Sequence, residues 1–400
     1  MPAVKLSEGV YSVGIMNPNM RVFDIVMQTE SGTSYNSYIV KGADKTALIE
    51  TSHDSFMEIY LDNIREVCDP AEIDYVVLNH NEPDHSGALA RLLAYMPNAK
   101  VVASVAGATY LKNITNMPLD ITKVKDGDSL DLGGKTLRFV NAPFLHWPDS
   151  MFTYLPEDKM VFTCDFLGCH YCEPYTWDRY IAYPDAYETA LKLYYNAIFG
   201  PFGPYVQKGL DKLETLEFDT VCNSHGPILT KDGLLPHVME MYRQWSAPSE
   251  RTNPQIPVFY CSAYGNTKHI AEAIREGILS VHPQAETECY DLIAHDMADL
   301  QAKLNQSNGF AVGTPTLNRD ALPPVWMLLA GVDAINCAKK PCAVFGSYGW
   351  SGEGIPNVKQ RLESLKMKVV GEFKTIFVPT AEDLEKAKEL GAELARAISL

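Results

Sequence analysis

The sequence predicts an α/β protein of two domains, the second of which is a doubly wound parallel sheet. Its 400 residues exceed what one hydrophobic core usually serves. Residues 246–257 are polar and include three prolines, which is typical of a linker. After this linker, strand and helix patterns alternate regularly. We therefore predict one domain at 1–248 and another at 256–400.

The C-terminal domain is predicted from five strands that alternate with five helices. Pro323 and Pro324 open the third helix, because the first turn of a helix tolerates proline. The strands are predicted at 258–261, 286–291, 310–313, 342–345 and 369–378, and the other helices at 268–280, 297–305, 358–367 and 381–399.

The N-terminal domain mixes hairpins with helices. Gly133-Gly134 joins two predicted strands, 129–132 and 136–140. Helices are predicted near 56–67 and 88–95. No repeat of solenoid length is present.

Composition and charge exclude several classes of protein. Apolar residues make up 46% of the chain and charged residues 21%, which indicates a globular protein rather than a disordered one. The formal net charge of −16 makes nucleic acid and anionic membranes unlikely partners on electrostatic grounds. The N-terminus lacks the pattern of a signal peptide, and no apolar segment reaches the length of a membrane span. We therefore predict a cytoplasmic protein.

The nine cysteines do not predict a disulfide framework, because they are scattered and odd in number. Cys169 and Cys172 form a single CxxC motif, whereas a rubredoxin or a zinc ribbon needs two. We interpret the cysteines mostly as buried apolar residues. A redox role for the Cys169–Cys172 pair is the less favoured alternative.

The strongest functional signal is a cluster of four potential metal ligands after the predicted strand 75–78. His80, Glu82, Asp84 and His85 lie within six residues. Pro83 argues against a helix here, and an irregular loop could turn all four side chains inward.

Three more candidate ligands follow other apolar strands, and they are His146, Asp165 and His225. A single histidine at a strand end is usually structural. The joint pattern of four His, two Asp and one Glu favours a metal site instead.

Three loops at strand ends predict a phosphate-bearing cofactor in the C-terminal domain. Residues 262–267 lead into a helix whose N-terminal N–H groups can bind an anion. Their spacing is neither that of a Walker loop nor GxGxxG. Loops 313–318 and 346–352 follow the third and fourth strands. The alternative is that all three are ordinary surface turns.

The metal motif resembles that of the metallo-β-lactamase superfamily, His-x-His-x-Asp-His, with Glu82 in place of the second histidine. A carboxylate favours iron over zinc and can bridge two metals. The full set, together with the string 145–151, resembles the flavodiiron family, which implies an N-terminal metallo-β-lactamase-like αββα sandwich.

This resemblance implies a specific division of ligands. His80, Glu82 and His146 would hold one iron, Asp84, His85 and His225 the other, and Asp165 would bridge them. In some members the residue that matches His85 turns away from the metal, so its ligation stays open. His170 matches a histidine near the family's oxygen pocket and either supports the metal ligands or is simply buried.

The C-terminal loops resemble those of flavodoxins, which implies a flavodoxin-like doubly wound parallel sheet that binds FMN beside its first and third strands. Tyr348 or Trp350 would lie beside the isoalloxazine ring. The implied FMN-binding residues are Ser262, Tyr264, Gly265, Asn266, Thr267, Thr314, Pro315, Thr316, Leu317, Asn318, Ser347, Tyr348, Gly349 and Trp350.

The resemblance implies an oxidoreductase that reduces dioxygen to water, nitric oxide to nitrous oxide, or both. It also implies a head-to-tail homodimer or a dimer of dimers, and an external electron donor, either a rubredoxin or a reduced deazaflavin. Two alternatives remain: a zinc hydrolase fused to a flavodoxin domain, and an electron carrier without enzymatic activity.

Overall fold

The computed structural model describes residues 2–24, 27–248 and 253–398. The chain divides into two compact units, Met1–Pro248 and Ser249–Leu400. Among the described residues, no helix combines the length and the apolar character that crossing a membrane requires.

The first unit contains a seven-stranded sheet in the order β1-β2-β7-β8-β9-β10-β11. Its first four strands pair antiparallel and the rest pair parallel. The strands are β1 (Val4–Ser7), β2 (Val10–Ser12), β7 (Tyr38–Lys41), β8 (Thr46–Ile49), β9 (Tyr75–Leu78), β10 (Lys100–Ser104) and β11 (Ile121–Val124).

A six-stranded sheet follows in simple sequence order. Its strands are β12 (Ser129–Asp131), β13 (Thr136–Asn141), β14 (Met151–Leu155), β15 (Met160–Cys164), β16 (Thr220–Asn223) and β17 (Leu229–Thr230). Only β15 and β16 pair parallel, because helices connect them, whereas the others are antiparallel neighbours. Two small hairpins pair β3 (Ile15–Asn17) with β6 (Thr33–Tyr35) and β4 (Val22–Phe23) with β5 (Met27–Gln28).

The two large sheets pack face to face around one core, which includes Val40 and Val77 of the first and Phe139 and Phe162 of the second. Helices cover both outer faces. This arrangement confirms the predicted αββα sandwich. The helices are α1 (Met57–Arg65), α2 (Pro83–Ser86), α3 (Leu89–Leu92), α4 (Gly107–Thr115), α5 (Pro184–Tyr194), α6 (Gly203–Glu214) and α7 (Leu235–Trp245), and a π-helical turn, Tyr195–Phe199, continues α5.

Two local predictions for this unit were wrong. The segment after Glu82 is a single helical turn, α2, rather than an irregular loop. Pro83 occupies its first position, where the missing N–H costs nothing. The helix predicted at 88–95 is α-helical only over α3, because the chain tightens into turns after Leu92.

The second unit is a five-stranded parallel sheet in the order β19-β18-β20-β21-β22. Its strands are β18 (Val258–Tyr260), β19 (Cys289–Asp291), β20 (Phe310–Gly313), β21 (Pro341–Tyr348) and β22 (Lys368–Ile376). The helices are α8 (Asn266–Val281), α9 (Met297–Gln306), α10 (Pro323–Ala330), α11 (Gly354–Ser364) and α12 (Ala381–Arg396).

Helices α8 and α12 cover one face of this sheet, and α9, α10 and α11 cover the other. The predicted doubly wound fold is therefore confirmed. Several ends differ by a few residues: α11 begins at Gly354 rather than 358, and β19 is shorter than predicted. The last helix begins where Thr380 and Asp383 form a capping box. Its predicted end at 399 lies outside the described residues.

Candidate functional site

The structure brings all seven predicted metal ligands together at one edge of the sandwich. Each follows a strand of the two sheets, and the segment from the end of β9 through α2 supplies four of them. One group comprises His80, Glu82, His146 and Asp165, and the other comprises Asp84, His85 and His225. In each group, one candidate ligand atom per residue lies within 4.8 Å of the others.

Asp165 faces both groups with different oxygen atoms. Its Oδ2 lies 3.6 Å from Nε2 of His80 and 3.4 Å from Nε2 of His146. Its Oδ1 lies 3.1 Å from Nε2 of His85 and 3.3 Å from Nε2 of His225. This is the geometry expected of a carboxylate that bridges two cations.

Each group also has a carboxylate of its own. Glu82 Oε2 lies 3.3 Å from His80 Nε2 and 3.2 Å from His146 Nε2. Asp84 places one oxygen 3.2 Å from His85 Nε2 and the other 3.1 Å from His225 Nε2. Every histidine in the cluster therefore turns Nε2 towards carboxylates, as a shared cation would require.

Several of these atoms are buried without a hydrogen bond among the described residues. They are both oxygens of Asp84, Nε2 of His85 and Nε2 of His146. Each lies 3.1–3.4 Å from a carboxylate oxygen or an imidazole nitrogen of the cluster. Leaving buried polar atoms unsatisfied is costly, and a cation between them would remove that cost. The donor set therefore fits a pair of metal ions.

Opposite charges dominate the protonation of this cluster. Burial alone would raise the pKa of Asp165, but His85, His146 and His225 hold it well below its usual range. Burial would lower the pKa of His225, yet the nearby carboxylates of Asp165 and Asp84 raise it to about 10. The carboxylates thus favour the protonated form of these imidazoles when no metal is bound, and an incoming cation would displace those protons.

Cys164 also lies close to His85 and Asp165. Burial raises the pKa of its thiol well above the ordinary value, and Glu50 adds to that shift. Cys164 is a neighbour of the metal cluster that the sequence did not single out.

Contacts behind the ligands fix their orientation. His80 Nδ1 donates to Asp149 Oδ1 at 3.2 Å, and Asp149 Oδ2 accepts from the backbone N–H of Asn81 at 2.8 Å. His225 Nδ1 donates to the carbonyl of Ser34 at 2.6 Å. These bonds leave Nε2 of both rings free for a cation.

Sequence reasoning missed these supporting partners. Asp149 lies within the string 145–151, which was interpreted as a motif without a role for this residue. Tyr194 donates from its hydroxyl to Asp165 Oδ1 at 2.9 Å, and it is fully buried. No pattern in the sequence singled it out.

His170 lies beside the metal cluster but outside both ligand groups. Its ring centroid is 4.8 Å from that of His225, and its Nδ1 lies 2.8 Å from Thr33 Oγ1. Burial lowers the pKa of His170 well below its ordinary value, so the ring is neutral at physiological pH. The ring centroid of Phe23 lies 4.4 Å from that of His170, so Phe23 covers one side of the imidazole.

Both cysteines of the CxxC motif are free thiols, Cys169 buried and Cys172 partly buried. Burial raises the pKa of Cys172 to about 11 and that of Cys169 further. Both therefore stay protonated at neutral pH, which does not favour redox chemistry.

The second unit has an open cavity of about 510 Å³ at the carboxyl ends of β18, β20 and β21. Ten of the fourteen predicted FMN-binding residues line it: Tyr264, Asn266, Pro315, Thr316, Leu317, Asn318, Ser347, Tyr348, Gly349 and Trp350. Arg319 and Phe377 also line it and were not predicted.

The other four predicted residues are not among those that line the cavity. Thr267 is buried, and its Oγ1 lies 3.0 Å from Ser347 Oγ. Thr314 Oγ1 accepts a hydrogen bond from the N–H of Leu322 at 3.1 Å. Ser262 Oγ accepts weakly from the N–H of Lys268 at 3.4 Å. Gly265 precedes α8 with a φ of 85°. These residues shape the loops rather than line the cavity.

The cavity suits a phosphate-bearing aromatic ligand. Helix α8 begins without a side-chain cap, so its first N–H groups remain available to an anion. A Cβ added at Gly265 would meet nothing within 4 Å, so this cradle is open. Tyr264 and Trp350 are 92% and 96% exposed, which is unusual for large aromatic side chains unless a ligand covers them.

Comparison with known proteins identifies the type of each domain. Residues 33–226 match the family described as ODP family beta lactamase, and residues 258–391 match the flavodoxin family. The chain is 54% identical to flavo-diiron protein FprA2 of Clostridium acetobutylicum over 100% of both chains. It is 32% identical to a nitric oxide reductase of Moorella thermoacetica over 99% of both.

A solved structure, the rubredoxin oxygen:oxidoreductase of Desulfovibrio gigas, has a similar fold. Its TM-score is 0.70 at 27% identity, over 99% of this chain and 98% of that one.

Proposed function

The chain belongs to the flavodiiron protein family, and from this premise we propose that it reduces dioxygen to water, nitric oxide to nitrous oxide, or both. The reaction takes place at a non-haem di-iron site that receives electrons through FMN. The observation that carries the proposal is Asp165, whose two carboxylate oxygens each face a separate group of ligands.

We assign one cofactor to each domain. Residues 1–248 form the metallo-β-lactamase-like domain, in which His80, Glu82 and His146 hold one iron, Asp84, His85 and His225 hold the other, and Asp165 bridges them. His85 is included because its Nε2 lies 3.2 Å from Asp84 and 3.1 Å from Asp165. Residues 256–400 form the flavodoxin-like domain, whose cavity holds FMN.

Bound together, the irons and FMN supply one-electron transfer and a binding site for a diatomic oxidant. The protein supplies charge balance and geometry. Glu82, Asp84 and Asp165 offset three of the four positive charges of two ferrous ions, which keeps the pocket close to neutral. Asp149 holds the ring of His80, and Tyr194 holds Asp165, so the ligands are oriented before any metal arrives.

In the flavin domain the loops position the cofactor from three sides. The uncapped start of α8 offers N–H groups to the phosphate. Tyr348 ends β21 and Trp350 lies on the loop that follows, and both offer aromatic surface to the isoalloxazine ring. Arg319 adds a positive charge to the lining of the cavity.

The function test is turnover by the iron- and FMN-loaded protein after anaerobic purification. The flavin is photoreduced, nitric oxide or dioxygen is added, and flavin reoxidation is followed with product analysis. Formation of nitrous oxide or water with complete reoxidation supports the proposal. If the protein binds zinc under iron-rich expression and hydrolyses esters without oxidising the flavin, it is instead a hydrolase of the same superfamily.

We further propose that an external donor, a rubredoxin or a reduced deazaflavin, delivers electrons to FMN. We also propose a head-to-tail homodimer, or a dimer of dimers, because electron transfer requires the two cofactors to be close. The nine free cysteines support a reducing, cytoplasmic location. Sedimentation that shows a fully active monomer would contradict the dimer.

A further inference from the structure

Helix α5, its π-helical turn and helix α7 carry a group of oxidisable aromatic side chains behind the metal centre. We propose that four of them conduct oxidising equivalents from the metal centre to the protein surface when FMN has no electrons to give. They are Tyr194, Tyr195, Tyr242 and Trp245, and we call them the aromatic relay. The inference rests on the proposed function, because the oxidant is formed from the substrate at the metals.

The aromatic relay begins at the bridging carboxylate. The hydroxyl of Tyr194 donates to Asp165 Oδ1 at 2.9 Å, and Tyr194 is buried. A phenol loses its proton when it loses an electron, and a carboxylate at hydrogen-bond distance can accept that proton. Oxidation of Tyr194 therefore leaves no unpaired positive charge on the ring in the core, where such a charge would be costly.

Rings in contact lead from Tyr194 away from the metals. The ring centroid of Phe199 lies 6.0 Å from that of Tyr194 and 5.7 Å from that of Tyr242. The ring of Tyr195 lies 5.0 Å from that of Tyr242 and 5.0 Å from that of Trp245. Electrons tunnel readily between rings that touch, so the path from the bridging carboxylate to α7 has no gap.

The local backbone sets this arrangement. The π-helical turn Tyr195–Phe199 begins directly after Tyr194, and such turns occur often at functional sites. Two consecutive tyrosines therefore reach different partners: Tyr194 contacts a metal ligand, whereas Tyr195 contacts α7.

Packing alone does not explain a tyrosine at position 242. Tyr242 is fully buried, and its hydroxyl makes a long hydrogen bond of 3.3 Å to the carbonyl of Gly168. Phenylalanine would fill the same space without the cost of burying a hydroxyl. An oxidisable ring is what tyrosine adds at this position.

Trp245 is the outer end of the aromatic relay. It is the last residue of α7 and is half-buried, and Gln244 and Ala247 beside it are exposed. Lys192 Nζ lies 4.0 Å from the centroid of the indole ring. A cation over a ring stabilises the electrons of that ring, so the oxidising equivalent rests mainly on the tyrosines and reaches the surface through Trp245.

The redox step balances with a thiol as the final reductant. Oxygen at the oxidation level of hydrogen peroxide takes up two electrons and two protons, its O–O bond breaks, and two molecules of water form. When FMN is oxidised, two tyrosines of the aromatic relay supply them, each losing one electron and its phenolic proton. Two thiols in solution then return one electron and one proton each and join in a disulfide.

The test mixes the iron- and FMN-loaded protein, with its flavin oxidised, with hydrogen peroxide in the absence of oxygen and thiol. Freeze-quench electron paramagnetic resonance should show a tyrosyl radical, identified by its altered line shape when the tyrosines are ring-deuterated. Peptide mass spectrometry should show oxidation of Trp245. Added thiol should quench the radical and protect Trp245.

The double variant Tyr195→Phe/Tyr242→Phe interrupts the aromatic relay and should abolish the oxidation of Trp245. The matched control is Tyr187→Phe, which makes the same change at a fully buried position of α5 outside the relay. Trp245 should be oxidised in this control as in the wild type. Iron and FMN content are measured for each variant, and if the double variant loses iron, Tyr242→Phe replaces it.

A second readout uses Lys192→Gln, which removes the cation above the indole ring and leaves every ring in place. The radical should shift from tyrosine to tryptophan in this variant. Lys208→Gln is the matched control, because Lys208 Nζ lies 5.5 Å from the ring centroid of Tyr205, outside the aromatic relay. Its radical should stay on tyrosine.

Peroxide that is not consumed, or consumption without a protein radical, overturns the inference. So does oxidation of Trp245 that is equal in the interrupted variant and in Tyr187→Phe, or a radical that Lys192→Gln does not move. The expected radicals in a protein that reduces neither dioxygen nor nitric oxide would uphold the aromatic relay and reject the proposed function.

Discussion

The metal centre and the FMN cavity differ in how much of each site the chain completes by itself. At the metal centre, His80, His225 and Asp165 are buried and held from behind by other residues before any metal is present. At the FMN cavity, Tyr264 and Trp350 are almost fully exposed and are held by little. Buried side chains organise the metal centre. The FMN cavity is formed mainly by the backbone of open loops.

This difference predicts how strongly a single substitution should affect each site. Buried charges without partners are costly, so removing one ligand at the metal centre leaves its neighbours uncompensated. The aromatic side chains Tyr264 and Trp350 at the flavin loops are exposed, so the loss of either one removes only its own contact with the ligand. We therefore expect large effects in the first unit and smaller effects in the second.

The largest effect is predicted for Asp165→Ala, which removes the carboxylate shared by both ligand groups. Iron content should fall by about tenfold or more, because neither group keeps a full ligand set. FMN content should stay unchanged. Metal analysis and flavin absorbance check this, with the exposed Asp62→Asn as the control. Retention of both irons would contradict a bridging role.

A smaller loss of metal affinity is predicted for Asp149→Asn, which changes the partner of His80 but removes no metal ligand. Loss of such a supporting partner typically lowers metal affinity by about 10- to 100-fold. Competition with a chelator measures this affinity. Wild-type affinity in the variant would show that burial alone orients His80.

At the FMN cavity, Gly265→Ala tests backbone conformation alone. Its φ of 85° is strained for alanine, whereas the added Cβ meets no atom within 4 Å. The strain of about 1–2 kcal/mol should weaken FMN binding by about 5- to 30-fold. Fluorescence titration of the apoprotein with FMN measures this.

Gly134→Ala is the matched control in the other unit. Gly134 has a φ of 78° and equally open surroundings. This variant should lose similar stability in its own unit and leave FMN affinity unchanged. Equal FMN affinities in the two variants would show that the loop before α8 does not hold the cofactor.

The smallest effect is predicted for Trp350→Ala. Because Trp350 is 96% exposed, the free energy of unfolding should change by no more than about 0.5 kcal/mol. Loss of an aromatic contact of about 0.5–1.5 kcal/mol should raise the Kd for FMN by about 2- to 12-fold. Tyr183→Ala, an exposed aromatic in the other unit, should not change the Kd. An unchanged Kd in Trp350→Ala would remove Trp350 from the flavin site.

The same contrast explains what the sequence could predict. The metal ligands could be found because four are nearly adjacent and the others follow apolar strands, so local patterns position them. The doubly wound fold of the second unit could be predicted from strand and helix periodicity, whereas the αββα sandwich of the first was implied by the resemblance of its metal motif. The short turn at Pro83–Ser86 could not, because a single helical turn has no periodicity.

Contacts between residues that are far apart in the chain could not be predicted from the sequence. The contacts of Asp149 with His80 and of Tyr194 with Asp165 join residues 69 and 29 positions apart. Phe377 was predicted inside the last strand, yet the strand ends at Ile376 and Phe377 lines the FMN cavity. Only the folded chain brings such residues together.

The most direct test of the central claim is Mössbauer spectroscopy of the iron-57-enriched protein, with iron and FMN quantified in the same sample. A bridging Asp165 predicts about two irons and about one FMN per chain, with the two oxidised irons magnetically coupled. Zinc in place of iron, or two irons that behave as isolated ions, would contradict the account.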